Sequence, residues 1–498
     1  MRRPTNISSV LVTLFLSGWM ALALAGCAPQ PGPPQVGFGH EQVIRSTPTV
    51  FTDGTLSASQ CARIDSAVTA VLAGTGAPGA SLAVVWDGRI VYEHAYGCAR
   101  LAPPTPATRA MRYSVGSVSK QFTATAVLLL AQEKRLSLDD KVGKWLPDLT
   151  RANDVSIRQL LSMTAGYQDY WPQDYVFPAL REPTTPQGIL DRWARKPLDF
   201  EPGTKWQYSN TNYVIAGLIV ERASGMRLMD FLQQRIFTPL GMTSVHDADA
   251  APLGVGDAAG WLRNALGPLR AAPKEAKGWL FAAGGLAMTA HDLALWDISV
   301  INQTILQPAS YRTMQTDVLL ENGVATKYGL GVNVALVRER RQIAHGGAVS
   351  GYATCNQIYP DERAAIVVFS NIYPGAAAPA ARIAERVAAV IFAPADAEAA
   401  QALDRSRRIF ADLQKGKIDR ALFASNANAY FSDEVLRDYA SSLKPLGAPK
   451  EFVQVTQNLR GGMTCRAFRI KCRAKTLALS TQTLPDGKIE QYLIEPDE

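Results

Sequence analysis

The amino-acid sequence predicts a mixed α/β (α+β) protein: an antiparallel sheet flanked by helices, a helical region inserted into it, and a small α+β domain after it. Three observations carry that expectation. Strand-like apolar runs stand near 80–96 and return in quick succession from Tyr328 to Phe369, with several helical stretches between about 117 and 300. A segment at 377–392 sets Ile383, Val387, Val390 and Ile391 on one helical face. Beyond Pro394-Ala395-Asp396, helical segments come first and strand-like ones follow. Strands at both ends of a domain with helices between them imply one sheet joined from the two ends, with helices on its faces.

Size and composition agree. A chain of 498 residues exceeds the roughly 100–200 that one domain needs, so two or three domains are expected. Apolar residues make up 47% and charged residues 19%, which excludes a disordered or fibrous chain. The net charge is +7, and its basic residues are scattered, with Arg338-Glu339-Arg340-Arg341 the densest run. No stripe for nucleic acid is present, and no nucleic-acid partner is expected.

Taken in order, the first segment reads as an address. Arg2 and Arg3 precede a charge-free run from Ile7 to Gly26, which ends in Leu24-Ala25-Gly26-Cys27. That ending resembles the lipobox of bacterial lipoprotein signals. Residues 1–26 are then a cleaved leader, and Cys27 carries lipid and partners the membrane. An uncleaved membrane helix is the alternative, since about 20 apolar residues can just span a bilayer. Pro29, Pro31, Pro33 and Pro34 mark 27–55 as a tether lifting the protein off the surface. The location expected is the bacterial cell envelope, lipid-anchored and facing the periplasm.

Domain limits of 56–394 and 395–498 follow. Inside the first, Leu82-Ala83-Val84-Val85-Trp86, a turn at Asp87-Gly88 and Ile90-Val91-Tyr92 read as a hairpin. Helices are expected at 117–134, 157–163 and 211–224. In the second, helices are expected at 398–414, 417–424 and 433–443, then strands at 451–458, 463–469, 475–484 and 489–494. With Cys27 lipidated, five cysteines remain, so not all can pair within one chain. Cys465 with Cys472 and Cys61 with Cys98 are the local options, undecided by sequence. No cysteine or histidine spacing fits a metal motif, and neither metal nor cofactor is expected.

Three motifs carry chemistry. Ser117-Val118-Ser119-Lys120 opens an apolar helical run, and i,i+3 spacing puts Ser117 and Lys120 on one face. A serine hydroxyl needs a neighbouring base, and a buried lysine can be neutral enough to serve. Serine is also an ordinary helix cap, and Ser441-Ser442-Leu443-Lys444 repeats the pattern without companions. Tyr208-Ser209-Asn210 follows the turn Pro202-Gly203-Thr204. Near two cations, the Tyr208 phenol would lose its proton well below pH 10 and act as general base. A core tyrosine followed by an Asn helix cap is the plainer reading. His345-Gly346-Gly347-Ala348 ends a strand, and its glycines would let a ligand backbone lie close.

In this order the motifs resemble the serine β-lactamase and penicillin-recognising hydrolases, most closely their class C-related branch of D-aminopeptidases, D,D-carboxypeptidases and esterases. Tyr113-Ser114-Val115-Gly116, the run Ser156 to Gly166, Glu201-Pro202-Gly203-Thr204 and Ala283 to Leu293 extend the likeness over about 60–394. The resemblance implies a β-lactamase/transpeptidase-like fold, with Ser117 as nucleophile, Lys120 as its activating neighbour and Tyr208 as general base. Asn210 would bond the substrate amide and Lys120, and the backbone N–H groups of Ser117 and Ala348 would form the oxyanion hole. His345, Gly346, Gly347 and Ala348 would line the substrate strand. His345 stands where most β-lactamases carry lysine; with an ordinary pKa near 6.5 it is expected to be neutral at pH 7 and to gain charge as pH falls. The implied function is acyl-enzyme hydrolysis of a peptide, amide or ester in the envelope, on a small-molecule or peptide substrate related to peptidoglycan. A true class C-like β-lactamase or penicillin-binding protein, and a catalytically silent binding module of the envelope, are the alternatives. The final domain looks like a cystatin-type cone.

Overall fold

The structure, a computed structural model, describes residues 56, 58–375, 378–392 and 397–497. The expected leader and tether, with Cys27, and the expected boundary at 394–396 lie outside the described residues.

The order begins with α1 (Ala58–Thr75), β1 (Gly79–Trp86), β2 (Arg89–Leu101) and β3 (Pro104–Pro106). Then come α2 (Ser119–Gln132), α3 (Ile157–Leu161), α4 (Asn210–Ser224) and α5 (Ala290–Asn302). Strands β4 (Asn333–Val337), β5 (Arg340–Val349), β6 (Tyr352–Tyr359) and β7 (Ala364–Ser370) follow, and α6 (Pro379–Ile391) closes this part. The seven strands form one sheet in the order β3-β2-β1-β7-β6-β5-β4. β1 lies antiparallel to β7 with Ala80 opposite Ser370, so the sheet is joined from the two ends of the domain, as the sequence predicts.

The central strands are buried on both faces, which explains their unbroken apolar runs. Leu82 and Val84 of β1 join Ile366 and Val368 of β7 in a core under α1 and α6. Ala83 and Val85 join Val367 and Phe369 in the larger core on the opposite face. The amphipathic stripe read at 377–392 meets the first core: Ile383, Val387, Val390 and Ile391 are all buried there. Helix α2 is different, because every residue from Ser119 to Leu130 is buried. A helix buried on every side runs through the interior, and this one takes Lys120 and the polar side chains of Gln121, Thr123 and Thr125 in with it. Helix α3 begins on a capping box, Ser156 Oγ accepting from Gln159 N at 3.2 Å and Gln159 Oε1 from Ser156 N at 2.9 Å.

After residue 396 come α7 (Ala397–Leu413), α8 (Ser425–Tyr430), α9 (Asp433–Leu443), and the meander β8 (Glu451–Arg460), β9 (Met463–Lys471), β10 (Thr476–Thr483) and β11 (Ile489–Pro496). The sheet packs on α7 through Phe410 against Phe452 and Tyr492 OH donating to Ser406 O at 2.8 Å. The helix expected at 417–424 is absent. Asp419 turns its carboxylate onto Ala421 N, leaving one 3-10 turn at Arg420–Leu422. Asparagine Asn428 ties Arg420 and Phe423 carbonyls instead. All five described cysteines are free. Cys465 and Cys472 lie along one strand and just past its end, about 23 Å apart at ~3.3 Å per residue, out of reach of a bridge.

Candidate active site

Gly116–Val118 forms a 3-10 turn running straight into α2, so Ser117 stands at the mouth of a fully buried helix. Gly116 has φ +52°, and a methyl group there would come within 2.9 Å of Ala348 N. The Ser117 turn therefore rests against strand β5, with the backbone of Ala348 beside it. Gly347 fits the same contact. Any side chain there would collide with the Val115 carbonyl oxygen and Thr354 Oγ1, and Thr354 Oγ1 already donates to Val115 O at 2.9 Å. This glycine makes room for the protein's own turn rather than for a ligand backbone. Gly346 is exposed.

Four predicted residues meet directly. Ser117 Oγ accepts from Lys120 Nζ at 2.9 Å and from Tyr208 OH at 2.8 Å. Lys120 Nζ also donates to Asn210 Oδ1 at 2.8 Å and to the Ala283 carbonyl at 2.7 Å. Lys120 is fully buried. Burial pushes its ammonium down to about 7, against a smaller opposing pull from the Asp169 carboxylate. At neutral pH a large fraction of Lys120 is thus an uncharged amine touching Ser117.

Tyr208 departs from expectation. Burial raises its phenol above the ordinary value, and the bond to Ser117 only partly offsets that. The lowering expected from two nearby cations is not found: burial is the largest influence on the phenol, and the Asp169 carboxylate adds to the rise. Tyr208 is a proton donor in the resting site. Asn210 is also no cap. Ser209 holds the cap position without a side-chain bond, and Asn210 opens α4. Its side chain is fixed by Asp169 Oδ1, which accepts Asn210 N at 3.0 Å and Nδ2 at 3.1 Å.

His345 is buried in β5, and both ring nitrogens are engaged. Nδ1 lies 2.6 Å from Gly346 O, and Nε2 lies 2.9 Å from Tyr328 OH. A carbonyl only accepts, so Nδ1 carries the proton and Nε2 receives the Tyr328 hydroxyl. Burial, with Lys120 nearby, pushes the imidazole down to about 4. Burial works against the expected gain of charge as pH falls, because a positive ring would have to forfeit the Tyr328 bond inside the protein.

These residues line one cleft of about 1230 Å³, with Ser117, Tyr208, Asn210 and His345 to Ala348 on its walls. Sequence reasoning missed Asp169, the Ala283 carbonyl and Tyr328. Asp169 sits in a loop with no motif of its own, and carbonyl contacts leave no trace in residue type. Among the described residues no group of three metal-ligating side chains gathers. The second Ser-x-x-Lys lies on α9, where Ser441 is exposed and bonds only Asp438 O.

Comparison with known proteins agrees with this geometry. Residues 64–390 match the β-lactamase family. A penicillin-binding protein of Bacillus subtilis (strain 168) is 30% identical over 298 residues, covering 57% of this chain and 66% of its own. A D-aminopeptidase of Brucella anthropi is 31% identical over 303 residues, covering 60% of this chain and 57% of its own. The chain thus spans between about half and two thirds of the length of these curated relatives. Among solved structures, a D-stereospecific amidohydrolase from Streptomyces sp. superposes with TM-score 0.57 at 25% identity, over 67% of this chain and 98% of that one. By this match over most of its length and by the arrangement of Ser117, Lys120 and Tyr208, the chain belongs to the β-lactamase family.

Proposed function

We propose that the protein is a serine hydrolase that cleaves an amide or peptide bond next to a D-amino acid through an acyl-enzyme on Ser117. The observation that carries this is the Ser117 hydroxyl held between a buried, half-neutral Lys120 and the donating Tyr208. Neutral Lys120 takes the Ser117 proton as Oγ attacks the substrate carbonyl. The oxyanion forms beside Ser117 N and Ala348 N, at the mouth of α2, where backbone N–H groups favour negative charge. Tyr208 hands its proton to the leaving nitrogen and recovers one from Lys120, so the net transfer is from Ser117 Oγ to the departing amine. Water then releases the acid by the reverse sequence. Asn210, fixed by Asp169, is set to bond the substrate amide.

The preference for a D-residue rests on the D-aminopeptidase and D-stereospecific amidohydrolase relatives. Uncharged His345 removes the cation that would hold a β-lactam carboxylate, which favours amide hydrolysis over efficient turnover of penicillins. Leu24-Ala25-Gly26-Cys27 and the Pro-rich stretch after it support attachment to the cell envelope through lipid on Cys27, near peptidoglycan-related peptides.

Hydrolysis of D-alanine p-nitroanilide, L-alanine p-nitroanilide and a chromogenic cephalosporin tests the reading, with fluorophosphonate labelling located by mass spectrometry. The D-anilide is expected to turn over fastest, and the label to sit on Ser117. Label on another serine in the intact protein, or none anywhere, overturns the mechanism.

A further inference from the structure

A second cavity, of about 410 Å³, lies behind the catalytic cleft. That volume is at the small end of ligand sites, which run ~300–1,000 Å³. The two spaces share one thin wall. Leu280, Ala283 and Gly284 face the catalytic cleft, whereas Phe281, Ala282 and Gly285 face the rear cavity. This wall is the four-residue helical turn Phe281–Gly284, entered with Phe281 at φ +32°, a strained value for a bulky side chain.

The wall is fastened to the catalytic helix at three points. Lys120 Nζ donates to Ala283 O at 2.7 Å, Thr123 Oγ1 to Ala282 O at 2.8 Å, and Leu286 N to Ser119 Oγ at 3.2 Å. From the rear it is anchored by Asp249, whose Oδ1 accepts Gly278 N and Leu280 N, both at 3.0 Å. Anything that moves this segment moves the carbonyl that holds the catalytic amine.

The rear cavity's chemistry narrows what fits. Leu228, Leu232 and Phe281 supply an apolar body, and the carboxylates of Asp247, Asp249 and Glu221 stand on the lining. Of the two cations there, Arg227 is spent on a two-pronged pair with Asp230 at 2.7 Å on each side, which leaves Lys277 as one positive charge against the three carboxylates of the lining. Burial raises the Asp249 carboxyl above its usual range, the neighbouring Asp247 charge adds to the rise, and the backbone N–H groups it accepts only partly offset it.

We infer that this cavity is a regulatory site for a small amine with an apolar body, which binds with its ammonium at Asp249 and changes the reactivity of Ser117 through the Phe281–Gly284 wall. The regulatory half rests on the hydrolase reading above; the binding half does not.

The probe is 2-phenylethylamine, with 2-phenylethanol as its uncharged counterpart. Calorimetry on the full chain is expected to find the amine bound and the alcohol bound at least tenfold more weakly. Met229→Trp, which fills the cavity, is expected to abolish amine binding. Asp249→Asn, which keeps an acceptor for Gly278 and Leu280, is expected to weaken the amine to the level of the alcohol. Amine binding that survives both substitutions, or an alcohol that binds as well, overturns the site. For regulation, saturating amine is expected to change the fluorophosphonate labelling rate of Ser117 about fivefold or more. An unchanged rate with the amine bound overturns the regulation. If Ser117 takes no label under any condition, the hydrolase reading fails while calorimetry still decides the site.

Discussion

Asp169 and Lys120 hold one side chain by its two ends: Asn210 Nδ2 donates to Asp169 Oδ1 at 3.1 Å, and Asn210 Oδ1 accepts from Lys120 Nζ at 2.8 Å. The carboxylate thereby sets the position of a group that touches the Lys120 amine and also supplies a field that favours its charged form. Two effects of one residue can be separated by experiment.

Asp169→Asn is expected to lower kcat by about tenfold, since a bond to a charged acceptor is replaced by one to a neutral one. Removing the negative charge also lowers the Lys120 value, so the rising limb of the pH profile should move to lower pH. A fall in rate with the limb unmoved would mean that Asp169 acts only by positioning.

In the proposed mechanism Lys120 must be neutral to take the Ser117 proton. With the ammonium held at about 7, kcat/KM is expected to rise with pH through about 7 and then level. The raised Tyr208 phenol predicts no fall before the ordinary phenol range near 10. Tyr208→Phe should lose activity by ~10²-fold or more, as expected for a proton-transfer group, yet keep the same midpoint. If the midpoint vanishes with the phenol, Tyr208 is the titrating base.

His345 should stay uncharged from pH 5 to 8, because burial holds it at about 4. Over that range the ratio of kcat/KM for a carboxylate-bearing and an uncharged ester is expected to be flat. A ratio that climbs toward low pH would show the ring gaining charge and reading the substrate carboxylate.

Gly347→Ala forces β5 away from the Val115 carbonyl and the Ser117 turn. Overpacking of this kind costs about 1–3 kcal/mol of stability. Displacing Ala348 N by about 1 Å should cost ~10²-fold in kcat. Gly346→Ala, whose nearest neighbour would be Thr354 O at 3.7 Å, is expected to be mild. Comparing melting temperature and kcat for the two variants checks this; equal losses would remove the strand contact as the cause.

How much of this was legible in the sequence depends on the range of the interaction. Ser117 and Lys120 are one helical turn apart, and Tyr208 and Asn210 two residues apart, so short patterns reveal them. The sheet was legible because β1 and β7 are buried on both faces and carry unbroken apolar runs. Protonation states were not, since the Tyr208 and His345 values follow from burial and from Asp169 and Lys120, brought in from distant parts of the chain. Asp169 was invisible for a similar reason: its partner Asn210 lies 41 positions away. In the last domain, helix propensity at 417–424 gave way to Asp419 and Asn428, whose side chains compete for the backbone.

The pairing of Ala80 with Ser370 sets a clock on synthesis. Strand β1 leaves the ribosome about 290 residues before the strand that completes it, and closing so long a loop costs about 5 kcal/mol of chain entropy before any contact repays it. Until β5 to β7 exist, the Ser117 turn has no Ala348 beside it and no Gly347 to rest against. Partial chains therefore carry Ser117 without the neighbours that its proposed chemistry needs. The assembled fold should form slowly, as sheets dominated by distant pairings do, and a chain cut anywhere before β7 should be silent however well α2 is formed.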